Sequence, residues 1–176
     1  MDMLIKLYAA ELATASASAS APALAASAAA AAEINTAMVR KPIGPDHDLV
    51  THWVAARFGP GWASEAQVAL SNRPITLWIA APHGTLLGFA CFDATARGFV
   101  GPIGVDAAAR GRGVGAALLR ACLHDMRSFG YGYAVAGGVS APGFFQRVAG
   151  AVEIAGSSPG LYVERLVPAA PAALVP

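Results

Sequence analysis

The sequence predicts a mixed α/β domain, with a central mixed sheet and helices on both of its faces. Three observations carry that expectation. Short apolar runs bounded by Gly, Pro and Asp recur at strand length, as in TLWIAAP (76–82), LLGFACFD (86–93) and YAVAGGV (133–139). Between them lie segments with helical spacing, the clearest being Gly113–Ser128, with Leu118, Leu119, Cys122, Leu123 and Met126 on one side. A glycine-arginine loop, Arg110-Gly111-Arg112-Gly113, joins an apolar strand to that helix.

Composition narrows the function. A chain of 176 residues is one domain of ordinary size, long enough to bury a real core. The hydrophobic fraction of 56% is inflated by alanine, and no strongly apolar run approaches the ~20 residues of a membrane span. A net charge of +1 offers no global field for nucleic acid. The opening residues MDMLIKLYAA carry an acid at position 2 and no basic leader, so no secretory signal is expected and a cytoplasmic location is. Cys91 and Cys122 read as small buried thiols. They and His47, His52, His83 and His124 lack metal-ligand spacing, so no metal is expected.

Taken in order, LIKLY (4–8) reads as a short strand. From Ala9 to Ala32 the chain is almost wholly Ala and Ser. Leu12 and Leu24 alone could anchor a helix there. A helix of modest stability after Pro22 and a low-complexity tether both fit. NTAMVRKPI (35–43) reads as a strand, and Pro45 and Asp46 open a helix with Leu49, Val50, Trp53, Val54 and Phe58 at helical spacing. FGPGW (58–62) must turn before a second short helix, Ala63–Leu70. A hairpin turning at His83-Gly84 follows, then the strand GFVGPIGV (98–105), where Pro102 demands a bulge or an unpaired edge. After the helix and YAVAGGV come a helix at PGFFQRVAG (142–150) and a last strand near GLYVERL (160–166). The order is β(α)β-α-α-β-β-β-α-β-α-β. Residues 1–36 form a strand plus an Ala/Ser-rich segment, 37–167 the main domain, and 168–176 a disordered tail.

The glycine-arginine loop needs a reason, because each glycine costs about 0.5–1 kcal/mol relative to alanine in a helix. A helix start presents unbonded N–H groups and the positive end of its dipole, which together attract an anion. Glycines at 111, 113 and 115 let a phosphate approach them, and Arg110 and Arg112 add charge-assisted bonds. Gly111-x-Gly113-x-x-Ala116 also satisfies the dinucleotide fingerprint G-x-G-x-x-G/A. That reading wants a parallel sheet and an acid closing the next strand, which ends VAGGVS instead.

Arg110 to Ala116 fits R/Q-x-x-G-x-G/A, and VDAAARGRGVGAALL (105–119) is similar to V-x-P-x-x-R-G-x-G-I-G-x-x-L-L of the GCN5-related N-acetyltransferases (GNAT). Downstream, Ala141-x-x-Phe144-Phe145 and Gly150-Ala151 resemble that family's A-x-x-F-Y…G-F. The resemblance covers about residues 38–166. It implies a GNAT fold, whose largely antiparallel sheet splays between its fourth and fifth strands. It also implies acetyl-CoA as co-substrate, held by Ile103, Gly104, Val105, Arg110, Gly111, Arg112, Gly113, Val114, Gly115, Ala116, Phe144 and Phe145. The reaction implied is transfer of acetyl to a primary amine of a small molecule or peptide by direct attack, with the Val105 N–H holding the oxyanion. No nucleic acid or membrane partner is expected, and a homodimer is left open.

The chain also departs from the family. Phe145 stands where a tyrosine commonly protonates the thiolate, Gly138 stands for an asparagine, and GFVGPIGV lacks the glutamate many relatives use as base. Glu65, Asp93 and Tyr133 are the candidate replacements, with Tyr162 a further hydroxyl and Phe58, Trp62 and Trp78 candidate pocket walls. Those departures keep a second reading open, an acetyl-CoA-binding module of weak catalytic power.

Overall fold

The computed structural model describes residues 1–8, 39–164 and 166. The expected helix or tether over 9–32, residues 35–38 of the strand expected at 35–43, and the tail from Pro168 lie outside the described residues. In chain order the elements are β1 (Met3–Lys6), β2 (Val39–Arg40), α1 (Asp46–Phe58), α2 (Pro60–Ser71), β3 (Leu77–Ala80), β4 (Gly88–Phe92), β5 (Phe99–Val105), α3 (Val114–Ser128), β6 (Tyr133–Ala136), α4 (Pro142–Ala149) and β7 (Val152–Glu153). The strands form one sheet in the order β2-β3-β4-β5-β6-β1-β7. Only β5 and β6 run parallel among the described pairs.

Helix α1 begins where the sequence opens it. Asp46 accepts from the Ile43 N–H at 2.9 Å and from Arg40 at 2.6 Å. Acids lie in its first turn and Arg57 in its last, matching the helix dipole. Gly59, at φ 91°, breaks the helix, and Pro60 starts α2 at the position where a missing N–H does no harm. The buried stripe of α1 is narrower than its apolar spacing. Val50 and Val54 are buried, and Trp53 and Phe58 pack partly buried beside them, but Leu49 is 70% exposed.

Two cores follow from the two covered faces. On one, α1 and α2 bury Val50, Val54, Ala66 and Leu70 against Leu77, Ile79, Phe89 and Cys91. On the other, Leu118, Leu119, Cys122, Leu123 and Met126 of α3 meet Ala90, Phe92, Ala134 and Ala136. Full burial of each large apolar side chain contributes about 1.5–3 kcal/mol.

Strand β1 is interior. Its Met3 and Ile5, and Leu7 just beyond, are fully buried, and it pairs antiparallel with β6 on one side and β7 on the other. This corrects the strand expected at 160–166, where Gly160–Glu164 form a turn of 3-10 helix. With β5 and β1 bonded along its two edges, β6 has no edge left for that segment. The two-residue β7 has too little pattern to be seen in sequence.

The bulge demanded by Pro102 is present, as a register shift where β5 runs opposite Ala90–Phe92. Strands β5 and β6 are paired at only two positions, Phe99 with Val135 and Val100 with Ala136. Beyond them β5 stays with β4, while the exit of β6 follows residues 1–2. The Val139 N–H donates to the Met1 carbonyl and the Gly138 N–H to the Asp2 carboxylate, both at 2.9 Å. The sheet therefore opens between 101–105 and 137–139.

Candidate functional site

Backbone register decides what this opening offers. The Asp106 N–H donates to the Leu87 carbonyl at 2.8 Å, so Val105 and Gly88 form a non-hydrogen-bonded pair in the ladder. Alternation then turns the N–H and C=O of Ile103 and Val105 away from β4 and into the opening. Gly104, opposite Phe89, spends its own amide and carbonyl on β4. Of the three backbone positions expected to bond a ligand arm, only Ile103 and Val105 face the gap.

At the mouth stands the first turn of α3. Gly113 is its N-cap residue in the left-handed region, φ 81°, and no side chain caps the helix among the described residues. The first intrahelical bond runs from the Ala117 N–H to the Gly113 carbonyl. The N–H groups of Val114, Gly115 and Ala116 thus have no acceptor within the helix. A Cβ on Gly111, at φ 75°, would meet nothing described within 4 Å. A Cβ on Gly115 would touch Val105 at 3.5 Å and Phe144 at 3.6 Å. Arg110 donates from Nε to the Val105 carbonyl at 3.2 Å, which keeps its charge beside the loop. Asp106 fixes the approach, accepting from the Ala108 N–H and, at 2.7 Å, from Arg57 of α1. Those two bonds hold its carboxyl below the usual range, the Arg57 bond most.

The sequence profile of the acetyltransferase (GNAT) family matches residues 47–151, more than half of the chain. The chain belongs to the GNAT family. Among solved structures, a region of a fungal multi-domain GH3 beta-N-acetylglucosaminidase described as a GCN5-related glucosamine N-acetyltransferase is similar. It is 14% identical over 84% of this chain and 19% of that chain, with a TM-score of 0.59. The GNAT family N-acetyltransferase YhbS of Escherichia coli, solved in complex with CoA, is 21% identical over 53% of this chain and 57% of that chain, with a TM-score of 0.42. This chain thus spans just over half of one and a fifth of the other. No curated protein matches it. The mixed, splayed GNAT sheet with helices on both faces is the architecture observed.

Within this GNAT domain the candidate catalytic side chains separate. Glu65, on α2, accepts a short hydrogen bond from the Thr95 hydroxyl, which lies 3.5 Å from the Tyr162 hydroxyl. The Tyr162 ring lies over Gly137 and Gly138, on the β6 side of the opening. Burial raises its phenol pKa, and the Glu65 and Asp2 charges add to that. One turn before Glu65, Trp62 stacks on Phe58 at 5.1 Å, and Phe58 presses on Gly104. Side chains three apart share a helix face, so α2 turns Trp62 and Glu65 toward β5 together.

Asp93 and Tyr133 lie elsewhere. Asp93, at φ 53°, holds the β4–β5 turn by accepting from the Gly98 N–H and the Tyr131 hydroxyl, both at 2.7 Å. It lines a separate cleft of about 210 Å³ with Asn72, Arg73, Thr76, Arg97 and Phe129. Tyr133 is 49% exposed at the opposite end of β6, sharing a hydrogen bond with Tyr8. Trp78 packs with the α3 core and donates to Asp125 at 3.2 Å. Phe144 and Phe145 are half-buried on that core too. Sequence reasoning missed Thr95 and Asp2. Neither carries a local signal, since each acts through partners distant in the chain.

Proposed function

We propose that this chain is an acetyl-CoA-dependent N-acetyltransferase acting on a primary amine of a small molecule or peptide. The observation that carries the reading is the opening between β5 and the exit of β6, with the uncapped first turn of α3 at its mouth. These groups fit the co-substrate. A pyrophosphate matches the N–H groups of Val114, Gly115 and Ala116 together with the dipole and the Arg110 and Arg112 charges. An extended arm bearing amides would bond Ile103 and Val105 as an added strand does.

Acetyl-CoA supplies a thioester carbonyl; the chain's residues orient it and handle protons. The Val105 N–H is directed to stabilise the oxyanion as an amine nitrogen bonds to the carbonyl carbon. The carbon–sulfur bond then breaks, and the thiolate leaves and takes up a proton. Glu65, joined to Thr95 and through it to Tyr162 beside the opening, is the candidate base, receiving the amine's proton directly or through those hydroxyls. No covalent enzyme intermediate is required. A second reading, an acetyl-CoA-binding module of low turnover, is favoured by Phe145, a ring packed on the core where relatives carry a hydroxyl. Thiol release with a panel of amines separates the two.

Calorimetric titration with CoA tests the binding site. Gly113→Val puts a branched side chain at a left-handed position on the phosphate approach, whereas Arg112→Ala removes only part of the charge. The valine variant should lose about tenfold or more in CoA affinity, exceeding the alanine variant, with the far-UV spectrum retained. Equal CoA affinity in wild type and Gly113→Val would sink the assignment.

A further inference from the structure

We propose that Asp2 is a positioning residue for this opening, holding the wall that faces β5. The inference rests on reading the opening as a CoA site. Asp2 is 8% exposed, and a carboxylate so buried must be hydrogen-bonded to be tolerated. Its Oδ1 accepts the Gly138 N–H at 2.9 Å, at a glycine held at φ 59°. Its backbone N–H donates to the Ser157 hydroxyl at 2.7 Å, and its carbonyl accepts from the Ile154 N–H at 3.0 Å. A Cβ on Gly160 would stand 3.1 Å from Oδ2, so the carboxylate is closely enclosed on that side as well.

One residue thus ties segment 137–139 to the 154–160 turn, from which the chain continues to Tyr162. The consequence for the opening is direct. The Val135 N–H donates to the Gly98 carbonyl on the β5 side, so in an extended β6 the Val139 N–H would face β5 and the Gly138 N–H β1, and residues 1–2 take both. With Gly138 held at φ 59° by Asp2, the Val139 N–H turns to Met1 rather than to β5, leaving Ile103 and the Val105 N–H uncovered by β6. An apolar residue at position 2 could fill the space but could not accept the Gly138 N–H.

The test is CoA affinity by calorimetry beside the thermal midpoint, for wild type, Asp2→Asn and Asp2→Ala. Asparagine keeps an oxygen for the Gly138 N–H and should bind CoA within about threefold of wild type, whereas alanine should bind about tenfold more weakly. A purely structural role would lower the alanine variant's midpoint and leave the affinity of its folded form unchanged. Wild-type affinity in folded Asp2→Ala overturns the proposal, as does an asparagine variant as impaired as alanine. If Asp2→Ala does not fold, amide exchange in the wild-type protein decides. CoA should slow exchange at Gly138 and Val139, and unchanged exchange at saturation overturns the proposal. A wild-type protein that takes up no CoA is a distinct result: it removes the functional reading itself.

Discussion

At Gly104 a single missing methyl group joins the two halves of the candidate site. A Cβ there would lie 2.6 Å from the Phe58 ring and 2.7 Å from Phe89, closer than atoms can stand. The glycine lets the Phe58 ring stand against β5, where it stacks Trp62 one turn from Glu65. Phe89 is fully buried and cannot retreat. Gly104→Ala should therefore cost about 1–3 kcal/mol, read from urea unfolding, as overpacked cores do. A stability change within 0.5 kcal/mol of zero, the range of neutral surface changes, would show that Phe58 moves aside freely. The family resemblance assigned the Gly104 amide to the ligand; the ladder register spends that amide on β4, and the missing Cβ leaves the residue a steric role. The cysteines were legible. Cys91 and Cys122 are buried, and burial pushes both thiols well above their ordinary range.

Elements with strong local pattern were readable, and those defined by distant partners were not. Helix α3 shows the first case, since every residue placed inward by its spacing is buried. Strand β1 shows the second. LIKLY announces a strand, but nothing in five residues tells where in the sheet it goes. Its position between β6 and β7 makes it structural, so Ile5→Ala should cost about 2–5 kcal/mol by cavity formation. Chemical denaturation gives the value, with the partly exposed Leu4→Ala as the milder comparison on the opposite face. If Ile5→Ala unfolds at the wild-type midpoint, β1 adds nothing to the core. The 3-10 turn at 160–164 belongs with β1 here: an apolar run reads as strand until another strand holds the edge it would need.

Over the whole molecule, electrostatics is local rather than global. Arg40 bonded to Asp46, and Arg57 bonded to Asp106, hold both carboxyls below their ordinary range. A carboxyl lowered by folding contributes stability above its unfolded pKa and loses it as pH falls through the folded one. The urea midpoint should therefore hold steady from pH 7 to about 5 and fall below about 4. The Arg40→Ala/Arg57→Ala double variant should flatten part of that fall, and an identical slope would refute these pairs as its source. The largest lesson for the molecule lies in the seat of β1. Asp2 touches Gly138 across 136 positions of sequence and Ser157 across 155, so the β6-β1-β7 end of the sheet is closed by very long-range contacts. Loop entropy must be met before such contacts form, and high contact order slows folding. The half-sheet β2–β5 can organise from neighbours in sequence, whereas the seam through β6, β1 and β7 closes only after most of the chain is in place. The wall of the opening belongs to that seam, so the opening takes shape with the last step of assembly rather than with the first.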